Sequence, residues 1–288
     1  MSGKTFMLTG LLVLALAASG CRPTPAPTPT PAPSPVPAEA GLSGKIVEAG
    51  STTVQPLAEK LAEALMARHP KVEIIVQGGG SSVGVKSAGE GTVDVGAASR
   101  EIKDSEREKY PDLVVHTIAY DGVAVVVHPE VPIDGLTMEQ VRDIFAGKII
   151  NWKEVGGPDK PIVVVSREEG SGTRACFEEM VMGKEGPPIT ERAILQPSNG
   201  AVRTTVATTP YSIGYLSFGF LDPSIKGLAL DGVEPTVENV VAGKYPVVRP
   251  LNLLTKGKPT GVVKAWLDFI LSEEGQKIVV EEGYIAAR

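Results

Sequence analysis

The stretch from Pro161 to Arg174 constrains this chain more than any other. An apolar, β-branched run, Pro161-Ile-Val-Val-Val, ends in Ser166-Arg167. A Glu-Glu-Gly-Ser-Gly-Thr turn follows, and then the helical pattern Ala175-Cys-Phe-Glu-Glu-Met-Val-Met182. This reads as a strand, a tight turn and a helix start. The first N–H groups of a helix lack internal partners and carry the positive end of its dipole, which suits an oxyanion. Ser171 and Thr173 add hydroxyl donors, and Arg167 adds a planar fork that matches phosphate or carboxylate. Taken alone, the same spelling also suits an ordinary turn capped by Ser171.

Three other segments repeat the pattern. Gly50-Ser51-Thr52-Thr53 follows the expected strand Lys45–Glu48 and opens the expected helix Pro56–Arg68. Pro56 suits a first helical turn, and a Ser or Thr just before it suits a cap. Gly78-Gly-Gly-Ser81-Ser82 lies between the expected strand Val72–Gln77 and an expected helix, Val83–Gly89. Asp94-Val-Gly-Ala-Ala-Ser99-Arg100 ends a third apolar strand. Four strand ends therefore carry small residues and hydroxyls at the place where an open α/β sheet forms its ligand crevice. Their convergence argues for one buried anion site.

Residues 1–20 read as a secretory signal, with Lys4 before the apolar core Met7–Ala18. That core is too short for a comfortable transmembrane span. Ala18-Ser19-Gly20 directly before Cys21 has the form of a bacterial lipobox, which puts lipid on Cys21; a plain signal peptide cut nearby is the other reading. Residues 22–39 contain eight prolines alternating with small residues. Such a run favours polyproline II and reaches roughly 50–60 Å at ~3.1 Å per residue. Residues 21–43 are thus expected to form a lipid-anchored stalk. With Cys21 lipidated, Cys176 is the one remaining thiol, so no intramolecular disulfide forms. His69, His116 and His128 are isolated from other ligands, and no metal site is expected. The net charge is −6, and removing Lys4 with the signal makes it −6 − 1 = −7. This argues against nucleic acid. It also means that local dipoles and one or two Arg, rather than the overall field, must hold an anion.

The remaining residues alternate strand with helix, which argues for parallel sheets. Leu113–His116 and Gly122–His128 read as separate strands, Thr137–Phe145 as a helix capped at Thr137, Ala201–Thr208 as a helix, and Ile213–Phe218 as a strand. Gly261–Val280 reads as a long amphipathic helix interrupted near Ser272–Gly275.

These residues together resemble the phosphate-binding proteins of bacterial ABC phosphate importers, in their shorter form. The resemblance spans nearly all of residues 44–288. Its marks are Gly50–Leu57, Gly79–Lys86, Asp94–Lys103, Asp121–Val127, Ile144–Lys148 with Asn151–Gly157, Ser166–Arg174 and Ile213-Gly-Tyr215. It implies an α/β fold of the two-lobe periplasmic-binding-protein type, with hinge-crossing strands and an interlobe cleft. Lobe I would be residues 44–121 and 217–288, and lobe II residues 122–216. Gly122–His128 and Ile213–Phe218 would be the crossings. It also implies an extracytoplasmic monomer, lipid-anchored to the cell membrane, that captures inorganic phosphate for a membrane permease without catalysis or cofactor. Ser51, Thr52, Thr53, Ser81, Arg167, Ser171, Gly172 and Thr173 match the family's phosphate-binding positions. One position departs from the long form, where an Asp after the third strand accepts the proton of phosphate. Here Ser99 stands there, followed by Arg100, and both are expected among the phosphate ligands. Asp121 is then the expected acceptor; alternatively it is a structural partner of Arg100 or a turn residue.

Rival readings are a receptor for sulfate or molybdate, a phosphate scavenger or sensor without a transporter, and an enzyme. Gly78-x-Gly80-x-x-x-Gly84 only loosely matches a dinucleotide loop, Gly-Ser-Gly-Thr lacks the Lys of a phosphate loop, and none of the three His is placed as the base of a serine hydrolase.

Overall fold

The computed structural model describes residues 41–287. The expected signal, Cys21 and most of the stalk lie outside the described residues. The chain first builds β1 (Gly44–Gly50), α1 (Val54–Arg68), β2 (Val72–Gln77), α2 (Ser81–Glu90), β3 (Val95–Ala98) and α3 (Asp104–Lys109). It continues through the long strand β4 (Leu113–Val127), then β5 (Gly135–Leu136), α4 (Met138–Phe145), β6 (Val163–Arg167), α5 (Gly172–Phe177), β7 (Ile194–Gln196), α6 (Asn199–Thr208) and β8 (Ser212–Ser217). Last come β9 (Lys226–Gly227), β10 (Ala229–Leu230), α7 (Val237–Val241), β11 (Val248–Lys256), α8 (Gly261–Ile270), α9 (Glu273–Glu281) and β12 (Ile285–Ala286).

The main sheet has the strand order β2-β1-β3-β11-β4-β8-β6-β7. At one end β1 runs parallel to β2 and β3; at the other, β6 runs parallel to β7 and β8. Between them β11 and β4 are antiparallel. Strands β3 and β8, each parallel to one neighbour and antiparallel to the other, are buried along their whole length.

Two large hydrophobic cores flank this antiparallel pair. The first gathers Ile46, Leu57, Leu61, Ile118, Leu251 and Trp266. It exists because α1 places Val54, Leu57, Ala58, Leu61, Ala62 and Leu65 on one stripe at helical spacing. Each fully buried Leu of that stripe contributes roughly 1.5–3 kcal/mol. Leu42 is half-buried against this core, so packing begins two residues before the expected domain start. The second core gathers Val123–Val127, Phe145, Trp152, Phe177, Val202 and Tyr215. The fold is thus α/β in two lobes.

Two expectations change here. The stretch read as two strands is the single strand β4. Asp121-Gly122 has the spelling of a turn, but Gly122 is needed for a different reason: a Cβ there would lie within 2.6 Å of the Phe218 ring. Ile213–Phe218 does not cross between the cores. Ile213, Tyr215, Leu216 and Phe218 all pack in the second core, as do Leu228, Tyr245 and Val247. The strand that returns to the first core is β11, whose Leu251 and Leu253 pack there. The crossings are therefore β4 and β11, held in register with Arg249 opposite Asp121.

Candidate functional site

Each strand–helix junction picked out in the sequence points into the seam between the lobes. Ser51, Thr53, Ser81, Ser99, Asp121, Arg167, Ser171, Gly172 and Thr173 are all buried there, and Thr52 is half-buried. Lobe I supplies the N-termini of α1 and α2; lobe II supplies those of α5 and α6. The two walls touch closely. A Cβ added to Gly172 would collide with the hydroxyls of Ser81 and Ser99, so only glycine permits this approach.

The hydroxyls share a feature that decides what the seam can bind. Protein donors already point at their oxygens. Thr53 Oγ1 receives Asn199 Nδ2 at 2.8 Å and Arg249 Nη2 at 3.0 Å. Thr52 Oγ1 receives Arg167 Nη2 and Asn199 Nδ2, each at 3.4 Å. Ser81 Oγ accepts from the Ser99 N–H at 3.0 Å, and Ser99 Oγ from Arg249 Nη1 at 3.4 Å. Ser51 Oγ caps α1 through the N–H groups of Thr53 and Val54, and Ser171 Oγ caps α5 through Arg174 N–H at 3.2 Å. A hydroxyl has one proton to donate and two lone pairs. On Ser51, Thr52 and Thr53 protein donors fill both lone pairs, so the proton is what remains to be offered. The hydroxyls of Ser81 and Ser99 lie 3.4 Å apart and share one hydrogen bond, and Thr173 donates to Asn199 Oδ1 at 3.3 Å while lying 3.4 Å from Thr53 Oγ1. The seam is therefore a wall of donors.

Arg167 completes it. Its guanidinium is 1% exposed. Nε donates to the Gln196 carbonyl at 3.0 Å, and Nη2 to the Pro197 carbonyl at 3.2 Å; both also reach the Glu168 carboxylate. Nη1 is buried and has no hydrogen-bond partner in the protein. The arginine is fixed from behind. Its N–H donates to the Tyr215 hydroxyl at 3.3 Å, its carbonyl accepts from Arg174 Nη1 at 3.0 Å, and Tyr215 stacks on Phe177 with centroids 4.0 Å apart.

Two candidates are placed differently from expectation. The Arg100 guanidinium turns away from the donor wall into a bidentate pair with Glu106, at 2.8 and 2.7 Å. The Glu106 carboxyl is held below its usual range by the hydrogen bond and charge of Arg100 and by the Lys103 N–H, which outweigh its own partial burial. Asp121 is fully buried, but its oxygens are occupied. Oδ2 accepts from Arg249 Nε at 3.1 Å and Nη2 at 2.8 Å, and Oδ1 accepts from the Phe218 N–H at 3.2 Å. Burial pushes the Asp121 carboxyl above its usual range, against the opposing pull of Arg249.

Sequence reasoning missed Arg249 and Asn199. Arg249 is 3% exposed and bridges Asp121, Thr53 and Ser99. Its one local signal is a charge inside the apolar run Pro246-Val-Val-Arg-Pro-Leu. Asn199 follows the cap Ser198 at the start of α6, a fourth repeat of the strand–turn–helix spelling after β7. Arg167, Arg249 and Arg100 each carry a carboxylate partner. Their formal charges cancel, so an anion here is held by directed hydrogen bonds and helix dipoles rather than by excess charge. Among the described residues, no group of three His, Cys, Asp or Glu could hold a metal ion.

Comparisons with known proteins agree with this geometry. A family model described as a PBP superfamily domain matches residues 35–274. The chain is 38% identical over 249 residues to the phosphate-binding protein PstS of Bacillus subtilis, covering 86% of this chain and 82% of that one. A solved structure of a putative phosphate ABC transporter substrate-binding protein from Clostridium perfringens, with bound phosphate, is 43% identical. It superposes with a TM-score of 0.82 and covers 85% of this chain and 100% of that one. An ABC-type phosphate transport receptor from Vibrio cholerae is 35% identical, with a TM-score of 0.70, over 83% and 99% of the two chains.

Proposed function

We propose, for a chain that belongs to the PBP superfamily and within it to the PstS phosphate-binding proteins, that the seam between its lobes captures one inorganic phosphate and delivers it to an ABC importer. The function is capture and not catalysis. The observation that carries the reading is the donor wall: the Thr52 and Thr53 hydroxyls, whose lone pairs the protein already fills, beside a buried guanidinium nitrogen of Arg167 with no protein partner. A buried donor left unmatched costs about 1–3 kcal/mol, and more if charged, so this surface calls for an acceptor-rich occupant. A phosphate oxyanion offers lone pairs on all its oxygens.

The ligands are Thr52, Thr53, Ser81, Ser99, Arg167, Ser171, Gly172 and Thr173, with Ser51 as the cap that orients α1. Asn199 and Arg249 aim the Thr53 hydroxyl. Arg100 serves the lobe I wall and not the ion. Asp121 acts as the counter-ion that fixes Arg249, rather than as the acceptor of the phosphate proton. Lobe I comprises residues 44–121 and 248–288, and lobe II residues 122–247, a division supported by the membership of the two cores. We place the protein outside the cytoplasmic membrane as a monomer, held by lipid on Cys21 and the proline-rich stalk.

Equilibrium dialysis of the protein with radiolabelled phosphate tests this reading. One label should be retained per chain and resist a hundredfold excess of sulfate or molybdate. Displacement by either competitor at parity makes the protein a receptor for another oxyanion.

A further inference from the structure

Among the described residues and away from the two crossing strands, one main-chain hydrogen bond joins the lobes directly. The Ser82 N–H, in the first turn of α2, donates to the Gly170 carbonyl in the loop between β6 and α5, at 3.0 Å. The other cross-seam bonds near the ion site run between side chains already placed in or beside it, such as Asn199 to Thr53 and the Thr53–Thr173 hydroxyl pair. Neither Ser82 nor Gly170 belongs to that set. First-turn N–H groups of a helix have no internal acceptor. Here one of them is spent on the opposite lobe.

The surroundings are shaped for this contact. Gly170 has φ +86°, a left-handed conformation that favours glycine. A Cβ added to it would lie 3.3 Å from Ser82 Cβ. Gly80, with φ +90°, faces the same carbonyl, and a Cβ there would lie 3.3 Å from Gly170 O. Ser82 is itself held from behind. Its Oγ accepts from Arg100 Nη2 at 3.2 Å, and Arg100 is clamped by Glu106. Ser82, Arg100, Gly170, Ser171 and Arg174 line one cavity. Ser82 and Gly170 are both half-buried beside the buried Ser81 and Ser171, so the contact lies where the seam meets solvent.

We propose that the Ser82–Gly170 main-chain bond is a latch that retains phosphate by holding the mouth of the closed cleft, with Arg100 and Glu106 as its positioning residues. The inference rests on the reading of the seam as a phosphate site. A latch of this kind forms after the ion has entered and must break before it leaves. It acts on the rate of release and leaves the rate of capture nearly alone.

The experiment is a chase of radiolabelled phosphate from loaded protein by excess unlabelled phosphate. Three variants are compared with the parent. Ser82→Pro deletes the donor in the first turn of α2, where proline is tolerated, and also biases Ser81 away from its helical backbone, so it is read together with Gly170→Ala. Ser82→Ala keeps the N–H and removes only the hydroxyl. Gly170→Ala keeps the carbonyl and forces a methyl between the lobes. One main-chain hydrogen bond is worth roughly a two- to tenfold change in rate. Ser82→Pro and Gly170→Ala should release phosphate about three- to tenfold faster, with capture rates within about twofold of the parent, while Ser82→Ala releases less than about twofold faster. The phosphate-free melting temperature of Gly170→Ala should fall by about a few degrees, because alanine is strained at φ +86°; the latch is read from faster release with parent-like capture, which a general loss of stability does not produce. Parent-like release from both Ser82→Pro and Gly170→Ala overturns the latch. If Ser82→Pro alone fails to fold, Gly170→Ala decides. A parent that retains another oxyanion in place of phosphate sinks the phosphate reading; the same chase with that anion still tests the latch.

Discussion

Replacing Asp121 by Asn tests how the site is held together. In the folded protein the carboxylate lies directly across the strand pair from Arg249, and both side chains are within 2% of full burial. Three hydrogen bonds converge on it: two from the guanidinium and one from the Phe218 N–H. Asn keeps the shape but removes the charge, leaving Arg249 buried without a counter-ion. Breaking one side of a buried ion pair costs about 3–5 kcal/mol. A second loss follows at the ion site. Arg249 Nη2 fills a lone pair of Thr53 Oγ1, and a guanidinium that shifts no longer aims that hydroxyl. We expect phosphate affinity to fall roughly tenfold, the equivalent of one hydrogen bond. The double change Asp121→Leu with Arg249→Met should recover most of the stability, because replacing both members of a buried pair by apolar groups is often neutral or better. It should not recover the affinity. The assays are urea unfolding of the phosphate-free protein and competition titration with phosphate and sulfate. If Asp121→Asn loses less than about 1 kcal/mol and gains sulfate binding, Asp121 is a proton acceptor for phosphate and its role as a strut is wrong.

Other consequences can be checked alongside. Arg167→Ala should weaken phosphate binding by ten- to a hundredfold or more, since charge-assisted bonds contribute about 1.5–3 kcal/mol each; Arg167→Lys should restore only part, and parent-like binding by both would place the anion elsewhere. Glu48 is buried on β1 with Oε2 unpartnered, and burial, aided by repulsion from Glu59, pushes its carboxyl from 4.5 up to about 8. The folded protein then holds a proton that the unfolded chain has lost. Stability is full below about pH 4.5 and falls by about 1.4 kcal/mol per pH unit up to about pH 8, near 5 kcal/mol in all as an order of magnitude. Glu48→Gln should flatten that slope in unfolding measurements at pH 5, 7 and 9, and parallel slopes would show that the buried carboxyl is not responsible. Phosphate affinity should change less than about twofold between roughly 10 mM and 0.5 M NaCl, because the site is buried and each of its arginines has a carboxylate partner; a steep salt dependence in dialysis would mean that excess charge holds the ion.

What could be read in the sequence was local. Caps, turns and helix starts are decided by neighbours a few residues apart, so Thr137, Ser171 and the junctions at Thr53 and Ser81 were legible, and the last three line most of the proposed ion site. What could not be read depends on partners far along the chain. Arg249 is 128 residues from Asp121 and 196 from Thr53. Nothing near it announces that its charge will be neutralised or that it will aim a hydroxyl. The same reason defeated the crossing strand. An apolar run such as Ile213–Phe218 states that it is buried but not in which core. Asp121-Gly122 misled because a glycine that admits the Phe218 ring has the same spelling as a glycine that makes a turn. Arg100 beside Ser99 looked like a ligand because the Glu106 that claims it sits on α3, a helix with no buried residue of its own.

The central claim is met most directly by calorimetric titration of the protein with phosphate, run beside sulfate and beside the Arg167→Ala variant. The account predicts one phosphate per chain, a dissociation constant on the order of micromolar or tighter, which is about −8 kcal/mol or more favourable, no heat from sulfate, and a curve shifted at least tenfold for the variant. No phosphate signal up to millimolar ligand, or sulfate bound as tightly as phosphate, would contradict it.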